Sequence, residues 1–307
     1  MQVVESVKPW SGMSTGQFHI DYLGVRTDPE FWKGLNPTRA GRLRVSPPAL
    51  SDTYFEYAAC IMAASAVMRP FRVLEIGAGW GVWSVRAAMV ARHLGLPVRT
   101  TSVEMMPEQV RQIGRHFMTN GLDPICHRII AAAVSHDGKD AWMRFNSAVD
   151  PGARLIADDW VTRNAVAPLS AMPFGMPLSC RDGTEVVRTQ TRRLQDIVEP
   201  GTPLDFVHLR IGASPHKLLN DPALSPAHVG LLVLPGINAM DLPPVEQKMA
   251  GAGYVKVFGL EPGQLLHGSR GEVKINNALR VYAGERLPRY RVEEMTKHLA
   301  AVGAVPA

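Results

Sequence analysis

Between residues 71 and 134 short apolar runs alternate with amphipathic spans, and this alternation constrains the fold more than any other feature. FRVLEIG (Phe71 to Gly77) reads as a strand buried on both faces. In the GVWSVRAAMVARH that follows, Val82, Val85 and Met89 fall at helical spacing, with Gly95 and Pro97 as stop signals. VRTTSVE (Val98 to Glu104) is β-branched and extended. Pro107 opens a second helix carrying Val110, Ile113 and Phe117 on one face, closed by Asn120-Gly121. RIIAAAV (Arg128 to Val134) reads as a third buried strand. Strand, helix, strand, helix, strand with short joints is the pattern of a doubly wound parallel sheet.

The flanking segments extend that reading. Residues 1–50 are rich in Gly, Pro, Trp and Arg without sustained period, and read as an irregular extension that wraps onto something else. An Ala-rich helix is expected from Tyr54 to Met68, and Asp137-Gly138 marks a tight turn into KDAWMRF. Residues 147–184 form the least regular stretch, a long loop of the kind that is usually functional or disordered. TEVVRTQ, a short helix near TRRLQDIV, and the apolar strands LDFVHLRI and HVGLLVLPG follow. PPVEQKMAGAG reads as a helix, YVKVFGL and EVKINNALRVY as a final antiparallel pair, and 286–307 as a helical tail. No repeat divides the chain, so 51–285 reads as one domain.

Charge and cysteine content exclude several classes. The 307 residues carry 33 basic and 28 acidic side chains, and no block of five like charges occurs. The densest basic stretch, RTQTRRL (Arg188 to Leu194), reads as solvated surface, so no nucleic-acid partner is expected. Cys60, Cys126 and Cys180 are odd in number and lack C-x-x-C spacing, against a disulfide framework or a zinc site. The start MQVVESVKPW does not resemble a signal peptide. The longest uncharged apolar stretch, Tyr57 to Met68, is shorter than the roughly 20 residues a bilayer span needs, so no membrane insertion is expected. A cytoplasmic protein is the expectation, with monomer and homo-oligomer both open.

LEIGAGWGVW carries the functional signal, because Gly77, Gly79 and Gly81 fall between a strand and a helix. Glycines there permit a tight turn and let a ligand approach the backbone, while N–H groups at the helix start face it. A dinucleotide fingerprint is G-x-G-x-x-G, whereas this loop is G-x-G-x-G, which disfavours a nicotinamide oxidoreductase. Glu75, just before the loop, suits an ammonium-bearing cofactor and repels a pyrophosphate. Glu104, ending the second strand, suits the two hydroxyls of a ribose. Together these residues point to S-adenosyl-L-methionine.

E-x-G-x-G-x-G, followed one strand later by V-E, resembles motif I and its acidic partner in class I S-adenosylmethionine-dependent methyltransferases. FEYAA, LEIGAGWGVW, HFMTNGLDPICHRIIAAAVSHDG and VVRTQTRRLQDIV together resemble the FkbM family over roughly residues 50–285. The resemblance implies a Rossmann-like class I methyltransferase fold: an α/β, seven-stranded, mostly parallel sheet with an antiparallel last strand and helices on both faces. It also implies O-methylation, often of sugars or polyketide-derived hydroxyls. On that basis Glu75, Gly77, Ala78, Gly79, Trp80 and Gly81 would hold the methionine end. Glu104, with Met105 beside it, would hold the ribose, and Ala132 and Ala133 would lie near the adenine.

The acceptor side departs from the family pattern. Where the family has acidic residues after the strand corresponding to LDFVHLRI, this chain reads RIGASPHKLL, with Arg210 and Pro215 near the expected carboxylates. The Gly-Thr-His-like end of the next strand appears as LPGIN (Leu234 to Asn238). Three readings stay open. Arg210 grips an acidic acceptor, His208 acts as the base, or the domain is a binding or scaffold protein without turnover. His208 also suits a hydrogen-bonded core residue. Asp158-Asp159 lacks a third ligand, so no metal is expected. Trp80, Trp83 and Trp160 are candidates to line an acceptor pocket, with Trp83 better suited to the core, and His216 and His228 read as surface or capping residues.

Overall fold

The computed structural model describes residues 3–146, 150–156, 177–199, 201–210, 215–268, 271–275 and 277–301. Its centre is a seven-stranded sheet of β1 (Phe71–Ile76), β2 (Val98–Glu104), β3 (His127–Ala131), β4 (Leu204–Leu209), β5 (Val229–Ile237), β6 (Val255–Leu260) and β7 (Ala278–Ala283). The strand order is β6-β7-β5-β4-β1-β2-β3. Every pairing is parallel except those of β7, which inserts antiparallel between β5 and β6. The chain runs outward from β1 to β2 and β3, then crosses to β4 and β5. The order therefore reverses at β1 and opens a crevice at the carboxyl ends of β1 and β4.

Successive strand residues point to opposite faces, and both faces are covered. Phe71, Val73, Phe206, Leu231 and Val233 pack with helices α1 (Asp52–Ser65), α2 (Val82–His93), α3 (Pro107–Thr119) and α5 (Arg289–Ala301). Leu74, Ile76, Val207, Leu209 and Leu232 pack on the other side with Val245 and Met249 of α4 (Leu242–Ala252). All six residues of β4 are buried, so both faces of this strand are covered, and its polar members Asp205 and His208 are held by Arg69 and Glu56. Local signals bound the helices as expected. Ser51 Oγ accepts the Tyr54 N–H at the start of α1, Pro107 opens α3, and Gly253 in left-handed conformation ends α4.

The structure corrects four expectations. Residues 1–50 contain short antiparallel pairs, Ser11–Ser14 with Gly41–Arg44 and His19–Ile20 with Arg26–Thr27. What they wrap onto is the domain itself. Val4, Val7, Tyr22, Leu23 and Val25 enter its core, and Asp21 accepts hydrogen bonds from Leu23 N, Val25 N and Tyr57 Oη. Second, Asp150–Ile156 and Pro177–Ser179, inside the expected loop 147–184, join Ala141–Asn146 and Glu185–Thr189 in a four-stranded antiparallel sheet. Third, EVKINNALRVY is divided: Gly271–Lys274 pairs with Leu265–Gly268, and only Ala278–Ala283 pairs with β6. Fourth, RIIAAAV breaks at Ala132, after which Ala133–Val134 runs beside Thr191–Arg192 and the expected helix near TRRLQDIV is a single turn, Leu194–Asp196. Three of these pairings join segments about 30 to 60 residues apart, Ser11–Ser14 with Gly41–Arg44, Ala141–Asn146 with Glu185–Thr189 and Ala133–Val134 with Thr191–Arg192, which local pattern could not select; the others are hairpins between neighbouring segments.

Candidate active site

The glycine loop leaves β1 at the crevice, and its three glycines meet three different constraints. Gly77 N and Ala78 N both donate to Val103 O, at 3.0 and 3.1 Å, which fastens the loop to β2. Gly77 has φ +68°, and a Cβ there would lie 1.9 Å from the carbonyl oxygen of Arg210 at the end of β4. Gly81, φ +76°, starts α2 where a Cβ would stand 3.2 Å from Ile113 and 3.5 Å from Phe117, so it permits α2 to approach α3. Only Gly79, φ +57°, has nothing within 4 Å of its Cβ direction. Gly77 and Gly81 are thus explained by packing, and Gly79 is the position where a ligand can reach bare backbone. Ala78 is 2% exposed and its methyl belongs to the core, so only its backbone borders the crevice.

Glu75 does something other than expected. Its two carboxylate oxygens accept the N–H groups of Trp83 and Ser84, at 2.9 and 2.8 Å. The residue preceding α2 is glycine and offers no side-chain cap, so a strand residue satisfies the orphan donors of the first turn. Glu75 is 1% exposed and faces the start of α2 rather than open space, so its carboxylate serves the helix. Burial raises its pKa, opposed by the nearby His208 and by the N–H bonds.

Glu104 stays at the crevice. Oε2 accepts from Gly79 N at 2.8 Å, and Oε1 from Met105 N and Met106 N at 2.8 and 3.0 Å. Burial raises its pKa, offset by these same bonds. Oε2, with one donor, keeps acceptor capacity for a hydroxyl. Half-buried Met105 follows it, and Ala132, also half-buried, donates its N–H to Glu104 O at 3.0 Å, bringing the end of β3 alongside. Ala133 is 3% exposed and faces the interior, contrary to its expected place near an adenine.

His208 is also displaced from its expected role. It is 2% exposed, stacks on Trp83 with ring centroids 5.4 Å apart, and its Nε2 lies 2.6 Å from Glu56 Oε2. It is a core residue and does not meet an acceptor as a base. Arg210 is exposed, its N–H donates to Ile76 O at 2.9 Å, and its guanidinium has no partner among the described residues. Water solvates it, so its charge demands no bound anion. Pro215 begins a one-turn helix, Pro215–Leu218. Trp83, 4% exposed, is core as expected, while Asp158, Asp159 and Trp160 lie outside the described residues.

Three contributors, Trp32, His116 and Glu56, escaped the sequence reading. Trp80 packs near Trp32 of the N-terminal segment, with ring centroids 5.7 Å apart. The Trp80 carbonyl lies 2.9 Å from His116 Nδ1, whose Nε2 lies 3.2 Å from Thr27 Oγ1. A carbonyl only accepts, so Nδ1 carries the proton and Nε2 takes the Thr27 hydroxyl. Burial pushes the His116 pKa down to about 4, which keeps this tautomer neutral. His116 shares the stripe of Ile113 and Phe117, a signal that could have marked it as inward-facing. The third is Glu56, the partner of His208. No sequence signal connects the two, because they meet only through the packing of α1 on the sheet.

No protein-family model matches the chain, and no curated protein does. Among solved structures, it is similar to a SAM-dependent methyltransferase from Agrobacterium tumefaciens at 15% identity and TM-score 0.45, covering 90% of this chain and 70% of that one. It is similar to a ribosomal protein L11 methylase from Lactobacillus delbrueckii subsp. bulgaricus at 12% identity and TM-score 0.43, covering 87% and 99%. A precorrin-6y C5,15-methyltransferase from Geobacter metallireducens GS-15 gives 11% identity and TM-score 0.39, covering 73% and 85%. Similarity at this level carries no functional argument, and the architecture stands on the strand order and the antiparallel β7.

Proposed function

We propose that this chain binds S-adenosyl-L-methionine in the crevice between β1 and β4 and directs its methyl group to a hydroxyl of a sugar or other small molecule. The observation that carries the reading is Gly79. It is a left-handed glycine with open space on its Cβ side, and its N–H is held by a buried carboxylate at the end of the neighbouring strand. The residues present fit the cofactor: the glycine loop admits a ligand to the backbone, Glu104 Oε2 can accept from a ribose hydroxyl, and Met105 and Ala132 border the same edge. When bound, the cofactor supplies an electrophilic methyl on a sulfonium.

The protein's part is alignment of an acceptor oxygen with that methyl, and positioning alone can lower the barrier substantially. The exposure of Arg210, just after β4, supports a role in orienting an acceptor that bears a carboxylate or phosphate. The FkbM resemblance supports a saccharide or polyketide-type hydroxyl as the acceptor. Calorimetric titration with S-adenosylhomocysteine tests the cofactor, with Gly79→Arg expected to abolish the signal and Glu104→Ala to weaken binding about tenfold or more. No heat and no thermal shift at millimolar ligand refutes it. A second reading, a binding protein without turnover, is favoured by the burial of His208 and by the cation at position 210. Transfer of labelled methyl to any acceptor rules it out.

A further inference from the structure

With both oxygens of Glu75 engaged by α2, the crevice lacks the carboxylate expected for the cationic end of its ligand. Another lies close by. The joint between α1 and β1 is short, so α1 runs back along the sheet and its amino-terminal half reaches the carboxyl edges of the strands. Glu56, early in α1, is there 7% exposed and bonded through one oxygen only, Oε2, to His208 Nε2. Its Oε1 has no partner among the described residues. The sheet register sets Glu75 directly across from His208, so the imidazole stands beside two carboxylates. The guanidinium in this region, Arg86, bonds Asp21 at 3.3 Å and lies over the rings of Tyr57 and Trp83 at 4.7 and 4.9 Å; its charge also acts on Glu56, without a hydrogen bond between them. His208 Nδ1 is buried with no hydrogen-bond partner among the described residues, so the ring's polar connection there is to Glu56.

Arg86 is hydrogen-bonded to Asp21, and one imidazole set between Glu56 and Glu75 can orient the first but cannot neutralise both. Glu56 Oε1 is not among the buried atoms left without a partner, so it stays open to solvent and to a ligand, and a charged donor binds a carboxylate better than a neutral one. We propose that Glu56, through Oε1, receives the α-ammonium of the ligand's amino-acid end, with His208 as the positioning residue that fixes its carboxylate. The inference rests on the cofactor reading above and adds to it the residue that recognises the amino group.

The test compares S-adenosylhomocysteine with its deamino analogue, in which hydrogen replaces the α-amino group, by calorimetry on the full chain. Wild type is expected to prefer S-adenosylhomocysteine by about tenfold or more. Glu56→Gln should lose that preference while binding the deamino analogue within about twofold of wild type, since only the amino contact is removed. His208→Gln should reduce the preference in part. Where Glu56→Gln does not fold, Glu56→Asp, which withdraws the carboxylate by one methylene, reads the same ratio. Equal losses for both ligands mean a structural role and overturn the proposal. A retained preference overturns it too, and if turnover is then lost, Glu56 is a base instead. Wild type binding both ligands equally sinks this inference alone; wild type binding neither sinks the cofactor reading with it.

Discussion

Alanine placed at Gly77 and at Gly79 separates packing from ligand access within one loop. Both residues have positive φ, +68° and +57°, so each substitution carries the left-handed penalty of roughly 1–2 kcal/mol, partly offset by the reduced freedom of the unfolded chain. At Gly79 the new methyl meets nothing, and the net cost should be about 1 kcal/mol. At Gly77 it would lie 1.9 Å from the Arg210 carbonyl oxygen, a backbone atom that cannot turn aside. The end of β4 must then move, straining the Arg210 N–H bond to Ile76 O. Overpacking of roughly 1–3 kcal/mol and a hydrogen bond of about 1 kcal/mol bring Gly77→Ala to about 3–5 kcal/mol. Equilibrium urea unfolding measures both, compared at unchanged m-value. Affinity for S-adenosylhomocysteine should fall in Gly79→Ala, whose fold is nearly intact. Equal destabilisation by the two substitutions would refute the assignment of the glycines to different constraints.

The remaining predictions address other parts of the molecule. His116 is held near pKa 4 in the fold against 6.5 unfolded, so the unfolded chain binds the extra proton between those values. Stability is therefore lost as pH falls from 6.5 toward 4, by about 2 kcal/mol at pH 5. Urea midpoints should fall less steeply with acid in His116→Gln. Glu75 and Glu104, raised by burial, act with opposite sign and are present in both proteins, so a parallel pH dependence would count against the His116 assignment. Asp21→Ala leaves Arg86 and the Tyr57 hydroxyl without their shared acceptor and should cost about 3–5 kcal/mol; a loss under 1 kcal/mol would mean the N-terminal segment is not fastened there. Among the thiols, exposed Cys126 should react quickly in the native protein, and buried Cys60 and Cys180 only after unfolding; a fast second thiol contradicts their burial.

Much of the frame was legible because it is written locally. The β1–α2–β2–α3–β3 succession carries its own periodicity, and its stops and starts at Gly95, Pro97, Pro107 and Asn120-Gly121 act within a few residues. The positions of Gly79 and Glu104 in the fold were legible for the same reason, since a strand-to-helix glycine loop and an acid ending the next strand occupy recurrent places in such sheets. The tie of Glu75 to α2 was not legible because its partners, Trp83 N and Ser84 N, are backbone groups whose demand arises only once Gly81 leaves α2 without a side-chain cap. His208 was open between base and core, and only the position of α1 decides it.

The sequence by itself determined where β1 to β3, α2 and α3 lie, which edge of the sheet carries the glycine loop, and that an acid follows on the adjacent strand. These depend on period, turn chemistry and spacing, all short-ranged. Tertiary structure alone decided what each polar group of the site faces: Glu75 on α2, Glu104 on Gly79, His208 on Glu56, and His116 linking Trp80 to Thr27. Those pairings join residues up to 152 positions apart. A buried polar group takes whichever complementary atom the packing of layers brings within about 3 Å, and that choice is made by the fold as a whole.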